Sequence, residues 1–461
     1  MTDFETFKQQ FKGDLVLPTD PGYDEAIDRW AHNAIKQAKI VAFVKDAADV
    51  AAAINYAKAN KLPLAIRGGG HSASGSSSVE DGLVIDLSRY INGATVDLEK
   101  KLIYVGGGAV WKTVDHAAAQ HGLATVGGTV NHVNLSANIC SLITGGGYGW
   151  LSSKHGLVID NLVTVVTADG SILTANDSQN TDLFWAIRGG GSNFGVVTEF
   201  VLKAHPQRRT VFAGALVFTP DKLEEVADAA DKWWETATED ESIMTIFTSN
   251  FPPVKKPAII VPLFYNGSEE EGRAKFRVFY DIGPVVALAN EVPYEEVNGM
   301  QNPLADPGFN YYMKGGLLSE IPSKDLRRTT FNEIMKLAKE DLTVTMIFER
   351  QPHQKINSVP ADVTPFRRNL TGNALILIRW KDDSPEKSKA AQAAARHLAT
   401  LLPKGQGYGN YDDSVAEKKE GIAPPNAAEA LYGDAYPRLQ AIKKKYDPEM
   451  IFNKWFLIVP A

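Results

Sequence analysis

A single cysteine, Cys140, stands among 461 residues, so an internal disulfide, a thiolate-rich metal site and an iron–sulfur cluster are all excluded. Basic residues are not in excess: 48 Lys and Arg face 55 Asp and Glu, for a net charge of -7. A surface for nucleic acid or anionic membrane needs the opposite balance, which leaves a small molecule as the expected partner. No apolar run is long enough to span a bilayer, and the opening Met1–Lys8 has no basic region followed by an apolar stretch. The chain is therefore expected to be soluble and intracellular, with no obligate protein partner. Repeats and low-complexity tracts are missing as well. His116, His121 and His132 lie near one another, but no His-Glu-x-x-His occurs and no metal site is expected.

What the chain does have is glycine in clusters. Arg67-Gly68-Gly69-Gly70-His71, Gly106-Gly107-Gly108, Gly145-Gly146-Gly147-Tyr148-Gly149 and Arg188-Gly189-Gly190-Gly191 all fall within the first 205 residues, where short strands alternate with helical stretches. Leu62 to Ile66 and Leu102 to Val105 read as strands that run into the first two clusters. Val110 to His121 reads as a helix, and Leu162 to Ala168 with Ser171 to Thr174 as a hairpin on Asp169-Gly170. After Pro206 longer strands appear (Val211 to Phe218, Ile243 to Phe247, Ala258 to Tyr265, Thr343 to Phe348, Ala374 to Trp380), with amphipathic helices between them, the last from Pro385 to Leu401. The expected organisation is α+β: a two-part first domain over residues 1–206, a second domain with an antiparallel sheet covered by helices over 207–403, and a closing segment over 404–461 that returns to the first.

Glycine is entropically costly in regular structure, by roughly 1 kcal/mol relative to Ala, so four clusters imply that something approaches the backbone closely. Unhindered N–H groups in such loops make concavities for anions, pyrophosphate above all. The spacing then narrows the choice. No Gly-x-x-x-x-Gly-Lys-Ser/Thr occurs, and Gly-x-Gly-x-x-Gly fails at Ala73, Trp111 or Phe194, which disfavours a nucleotide-triphosphatase loop and a Rossmann site. Gly70-His71-Ser72-Ala73-Ser74 is not the Gly-x-Ser-x-Gly of a serine hydrolase.

Arg67-Gly68-Gly69-Gly70-His71, Gly145 to Gly149 followed by His155-Gly156-Leu157 and Asp160-Asn161, and Asp182 to Gly191 followed by Asn193-Phe194-Gly195-Val196-Val197 together resemble the flavin-binding half of the berberine-bridge-enzyme-like oxidases. These belong to the vanillyl-alcohol-oxidase superfamily, whose FAD-binding domain is of the PCMH type. Tyr408-Gly409-Asn410-Tyr411, Leu431-Tyr432-Gly433, Arg438-Leu439, Tyr446-Asp447-Pro448 and Phe452 resemble the same family's closing segment. The resemblance runs along most of the chain in order and is weakest in the middle third.

The resemblance implies FAD bonded to His71 by a single covalent link. It implies that Arg67, Gly68, Gly69, Gly70 and Ser72 hold it, with the three glycine amides on the pyrophosphate. Val126, Gly127, Gly128, Gly145, Gly146, Gly147, Gly149, His155, Gly156, Asp160, Asn161, Gly195, Val196, Val197 and Asn410 would complete the cofactor site. The position of a second, cysteinyl tether is Leu123 here, so that bond is expected to be absent, and Cys140 is taken as a small buried side chain. Val126 takes the place of the family's dioxygen gate, and a valine there resembles the oxidase setting.

Removing hydride from a carbon that bears a hydroxyl also requires a base for the O–H proton. By resemblance that base is Tyr411, with Tyr408 and Asn410 beside it on one strand and Tyr148 near the ring. A phenol with a pKa near 10 serves as a base only if a neighbour stabilises phenolate. The strand Asn373–Trp380 holds no Asp or Glu, which moves weight away from a carboxylate base there; Asn373, Glu349 and His353 are the substrate-side candidates. The expected reaction is oxidation of a hydroxylated carbon, in first place the anomeric carbon of a mono- or oligosaccharide to give a lactone, with dioxygen reduced to hydrogen peroxide. Phe309, Tyr311 and Tyr312 are the expected sugar platform. The alternatives are oxidation of phenolic or polyketide metabolites, and a non-catalytic flavin-binding protein.

Overall fold

The computed structural model describes residues 3–131, 139–168, 170–252, 255–318, 322–339, 341–369, 371–382, 384–402, 407–411 and 425–461. Its architecture is the α+β arrangement expected, built on three main sheets. In the first, Ile40–Phe43, Leu83–Asp86 and Leu64–Arg67 run parallel, with Asp14–Val16 antiparallel at one edge. The helix Ala47–Ala59 closes over this sheet; Asp46 caps it by accepting from the Asp49 amide, and Val50, Ala53, Ile54 and Ala57 form its buried stripe. Parallel strands finish together, so Arg67 and Asp86 become register partners at the edge from which the Gly68–Gly70 loop departs.

The second sheet is antiparallel, in the order Ala94–Asp97, Leu102–Gly106, Val196–Lys203, Leu162–Ala168, Ile172–Asn176. Asp169, half of the expected hairpin turn, lies outside the described residues, but the hairpin pairing itself is present. Gly106–Gly108 face other segments of backbone. A Cβ on Gly107 would stand 2.0 Å from the Val197 carbonyl oxygen and one on Gly108 2.3 Å from that of Leu87, so this cluster lets backbone pack on backbone. Gly190 does likewise against the Ala186 carbonyl, whereas Gly191 makes room for the Trp455 indole.

The third sheet is antiparallel and has eight strands, with Thr210–Phe218, Lys256–Tyr265, Glu241–Phe251, Leu342–Arg350, Gly372–Trp380 and Asn310–Leu318 side by side, and Val286–Ala287 and Asn290–Pro293 pairing the first of these. Successive side chains alternate faces. Val344, Met346 and Phe348 with Ala374, Ile376 and Ile378 pack under the helices Leu223–Trp234, Lys324–Leu337 and Pro385–Ala399. Ile347 with Leu375 and Leu377 point the other way, into the core shared with the first half of the chain. Because Glu349 pairs with Asn373, both fall on that second face, at the same level.

The closing segment returns to the first half. Lys443, fully buried in the helix Tyr436–Tyr446, donates to the Asn193 and Phe452 carbonyls and pairs with Asp447 at 2.6 Å. Among the described residues no helix is long and apolar enough to cross a membrane, and no cluster of His, Cys, Asp or Glu is arranged to hold a metal ion.

Candidate active site

Where the eight-stranded sheet faces the first half of the chain there is a cavity of about 130 Å³. One wall is the segment His71, Ser72, Ala73 and Ser74, which follows the glycine loop. Gly70 has φ +74°, the left-handed conformation that favours glycine, and its carbonyl accepts from the Trp30 amide. Trp30 is thereby laid flat against His71, ring centroids 3.8 Å apart, with Tyr311 stacked on its other face at 3.9 Å. The indole N–H of Trp30 donates to the Ala305 carbonyl at 2.8 Å, tying the stack to a segment of the opposite half that also lines the cavity.

The facing wall carries the titratable groups. Tyr408, Asn410 and Tyr411 do not sit on a strand, as the sequence suggested, but on a 3-10 turn over Gly409–Tyr411, closed by the Tyr411 amide on the Tyr408 carbonyl at 2.9 Å. A strand would send residues 408 and 411 to opposite faces, whereas the turn sets their rings edge to face at 4.8 Å. Tyr408 meets Tyr148 in the same manner at 5.2 Å, and its hydroxyl accepts from the Gly147 amide and the Asn410 side chain. Gly315 makes room for the turn, since a Cβ there would stand 2.9 Å from that of Tyr411.

The Tyr411 hydroxyl donates to Glu349 Oε1 at 2.8 Å, and Asn373 Nδ2 donates to Oε2 at 3.1 Å. Burial raises the Glu349 pKa above the ordinary carboxylate value, and these two hydrogen bonds act against the rise. Tyr411 is pushed well above the usual phenol value, first by burial and then by the Glu349 charge; burial does the same to Tyr148 and Tyr408. The neighbour of Tyr411 is thus an anion. It opposes phenolate where the tyrosine-base expectation needed a group that favours it.

His71, Ser72, Gly128, Tyr148, Glu349, Asn410 and Tyr411 line the cavity together. Tyr408 and Asn373 stand directly behind it through the hydrogen bonds above. Gly145, Gly146, Gly147 and Gly149 form the turn that carries Tyr148; a Cβ on Gly149 would fall 1.7 Å from the Gly127 carbonyl oxygen, so the two glycine segments touch. Val126 is fully buried in the core and not on the cavity wall. His155 stacks on His205 at 3.8 Å, Asp160 pairs with the buried Arg368 at 2.6 Å, and Asn161 holds the His155 and Leu157 carbonyls. Together with Gly156, Gly195, Val196 and Val197 they are off the cavity wall. His353 is buried with its ring 6.0 Å from that of Tyr148, also off the wall. The Cys140 side chain lies outside what is described. Phe309, Tyr311 and Tyr312 do not line the cavity: Tyr311 is spent on Trp30, and Tyr312 faces the helix side of the sheet. Trp30 and Trp455 line it without having been singled out; no periodicity or spacing connects either to the glycine loops.

Two family patterns match this chain. One, described as an FAD binding domain, covers residues 38–176, and the other, described as berberine and berberine like, covers 407–454. The FAD-linked oxidoreductase pgmH of Aspergillus terreus is 30% identical over 482 residues, covering 100% of this chain and 96% of that protein. The chain belongs to the berberine-bridge-enzyme-like FAD-linked oxidoreductases. Among solved structures, 6-hydroxy-D-nicotine oxidase from Arthrobacter nicotinovorans superposes with a TM-score of 0.84 at 25% identity over 98% of both chains. Chitooligosaccharide oxidase shares the fold, with a TM-score of 0.82 and 18% identity over 99% of both chains.

The walls of this oxidoreductase suit FAD. Leu142, Val130, Met313, Ile347, Leu375 and Leu377 offer flat apolar surface to an isoalloxazine. Asn410 lines the same wall, its Nδ2 held on the Tyr408 hydroxyl. The buried Gly68–Gly70 loop adjoins the His71 wall, where a diphosphate needs unhindered amides.

Proposed function

We propose that this oxidoreductase oxidises a hydroxyl-bearing carbon of a small, largely apolar molecule of the phenolic or polyketide kind, with FAD tethered at His71 and Glu349 as the base. The observation that carries the reading is the buried Glu349–Tyr411 hydrogen bond opening onto a mainly apolar wall. FAD, held by the Gly68–Gly70 loop and His71, would supply hydride acceptance and the two-electron reduction of dioxygen to hydrogen peroxide.

The chain's own residues handle the proton and the placement. The substrate hydroxyl donates to Tyr411 Oη, whose own proton moves to Glu349 Oε1 as the carbonyl forms. Tyr411 never becomes a free phenolate, so its raised pKa is no obstacle. Glu349 is the better base for being buried, because a raised carboxylate pKa brings its basicity nearer to neutral pH. Asn373 fixes the carboxylate plane, and Tyr408, held by Gly147 and Asn410, fixes the turn that carries Tyr411.

The saccharide expectation drew on Asn373, on the lack of a carboxylate in its strand and on Phe309, Tyr311 and Tyr312 as a stacking platform, and none of the three aromatics lines the cavity. Leu304, Ala305, Trp30 and Trp455 do, and their apolar surface suits a hydrophobic donor. The test is oxygen uptake by the purified protein across two panels, phenolic and polyketide-type alcohols on one side and mono- and oligosaccharides on the other. Uptake and peroxide with the first panel support the reading. Turnover confined to the second overturns it.

A further inference from the structure

Two arginine side chains, Arg29 and Arg67, lie against the Gly68–Gly70 loop at Gly70, and a buried carboxylate pairs with the second. Arg29 is 3% exposed and spends its donors on backbone carbonyls alone: Nε and Nη2 on Ser77 at 3.2 and 2.8 Å, Nη1 on Asp28 at 2.7 Å and on Ala26 at 3.4 Å. Among the described residues Arg29 makes no ion pair. The buried carboxylate nearby, Asp86, is committed elsewhere: Oδ2 to Arg67 Nη1 at 3.0 Å, Oδ1 to the Ser88 amide and hydroxyl. The Asp28 side chain is exposed, where solvent and salt screen it. Arg67 Nε is buried with no partner. A Cβ on Gly70 would stand 3.2 Å from Arg67 Nε and 3.3 Å from Arg29 Cδ, so both side chains touch the loop.

The cluster therefore carries one uncompensated positive charge in a dry setting, inside a protein whose net charge is -7. Burial and the neighbouring Arg67 draw the Arg29 pKa down to about 9, with Asp86 and Asp28 pulling the other way. Buried charge is tolerated when an opposite charge meets it. Carbonyl dipoles soften the cost without cancelling the charge.

We propose that Arg29, backed by Arg67, is the fixed positive charge that draws the diphosphate of FAD onto the Gly68–Gly70 loop, acting as a positioning residue through the loop. The proposal rests on the reading that this loop seats the diphosphate. It makes the loop's selectivity electrostatic as well as steric: amides shape the seat, and the guanidinium beneath supplies the charge. Low dielectric under the loop lets that charge act at a distance that water would screen.

The test uses the full-length chain carrying His71→Ala and freed of flavin, with calorimetric binding of ADP, which has the diphosphate, and of riboflavin, which does not. Added Arg29→Met should weaken ADP at least about tenfold and leave riboflavin within about twofold. Arg29→Lys keeps the charge and loses the carbonyl fork, so it should hold ADP within about threefold. Parallel loss of ADP and riboflavin in either variant, or unchanged ADP affinity in Arg29→Met, would overturn the proposal in favour of a purely structural Arg29. If Arg29→Met does not fold, Arg29→Gln, which removes the charge and keeps hydrogen-bond donors, takes its place with the same two outcomes. A parent chain that binds neither ligand would overturn the cofactor seat itself, a failure distinct from that of Arg29.

Discussion

Glu349→Gln isolates the base. Glutamine keeps the shape and can still accept from Tyr411, but it cannot take a proton, and its amide nitrogen meets either the Asn373 amide or the Tyr411 hydroxyl as a second donor. Loss of a positioned base is worth about 10²–10⁴ in rate, or roughly 3–5 kcal/mol of barrier. The assay is anaerobic stopped-flow bleaching of the flavin by a turned-over donor. Reduction should slow by that range while flavin content and donor affinity hold. The sign of the pH dependence follows from the raised pKa: Glu349 works ionised, so in the native protein the reduction rate climbs as pH rises through that raised value. In the glutamine variant this limb disappears. Reduction at close to the native rate, with the limb intact, would refute the assignment and return the base to another group.

Asp115 gives a stability prediction. It is buried on the helix Trp111–Ala119, accepts from Asn298 Nδ2 at 2.9 Å, and has its pKa raised to about 7 by burial, with Glu295 and Glu296 adding to the rise. A carboxyl raised from its unfolded value of about 3.9 contributes stability fully below that pH and loses it as pH climbs toward 7, on the order of a few kcal/mol in all. Asp115→Asn can also reach the unpartnered Asn298 Oδ1, so its melting temperature should exceed the native one at pH 8 and lose that part of the slope; an unchanged slope counts against the burial argument. Gly315→Ala should push the Tyr408–Tyr411 turn off the sheet, at a cost of about 1–3 kcal/mol, and slow flavin reduction with FAD retained; native reduction kinetics would show the turn has slack. Trp30→Ala removes the ring between His71 and Tyr311 and should destabilise by about 3–5 kcal/mol in thermal or denaturant unfolding, a much smaller loss meaning that the stack carries little.

Several strands were legible because apolar, β-branched runs announce them: Ala258 to Tyr265 falls within Lys256–Tyr265, and Ala374 to Trp380 within Gly372–Trp380. The glycine clusters were only half legible. Gly107 and Gly190 meet carbonyls of their own chain, and a sequence does not distinguish a backbone neighbour from a ligand. The turn at Gly409–Tyr411 was mistaken for a strand because its geometry comes from docking on Gly315, far away in sequence. The strand Asn373–Trp380 carries no carboxylate of its own. Antiparallel register brings Glu349 in from the adjacent strand, a non-local fact that no scan of one strand contains. Arg29 and Trp30 reach the glycine loop from well upstream, where no motif marks them.

The tether at His71 is the claim on which the rest turns, and an intact mass spectrum of the denatured protein addresses it directly. The account predicts one FAD added to the polypeptide mass, and its loss from the denatured His71→Ala chain although that chain binds FAD while folded. A bare polypeptide mass in the unsubstituted protein, or FAD still bonded after His71→Ala, would contradict it.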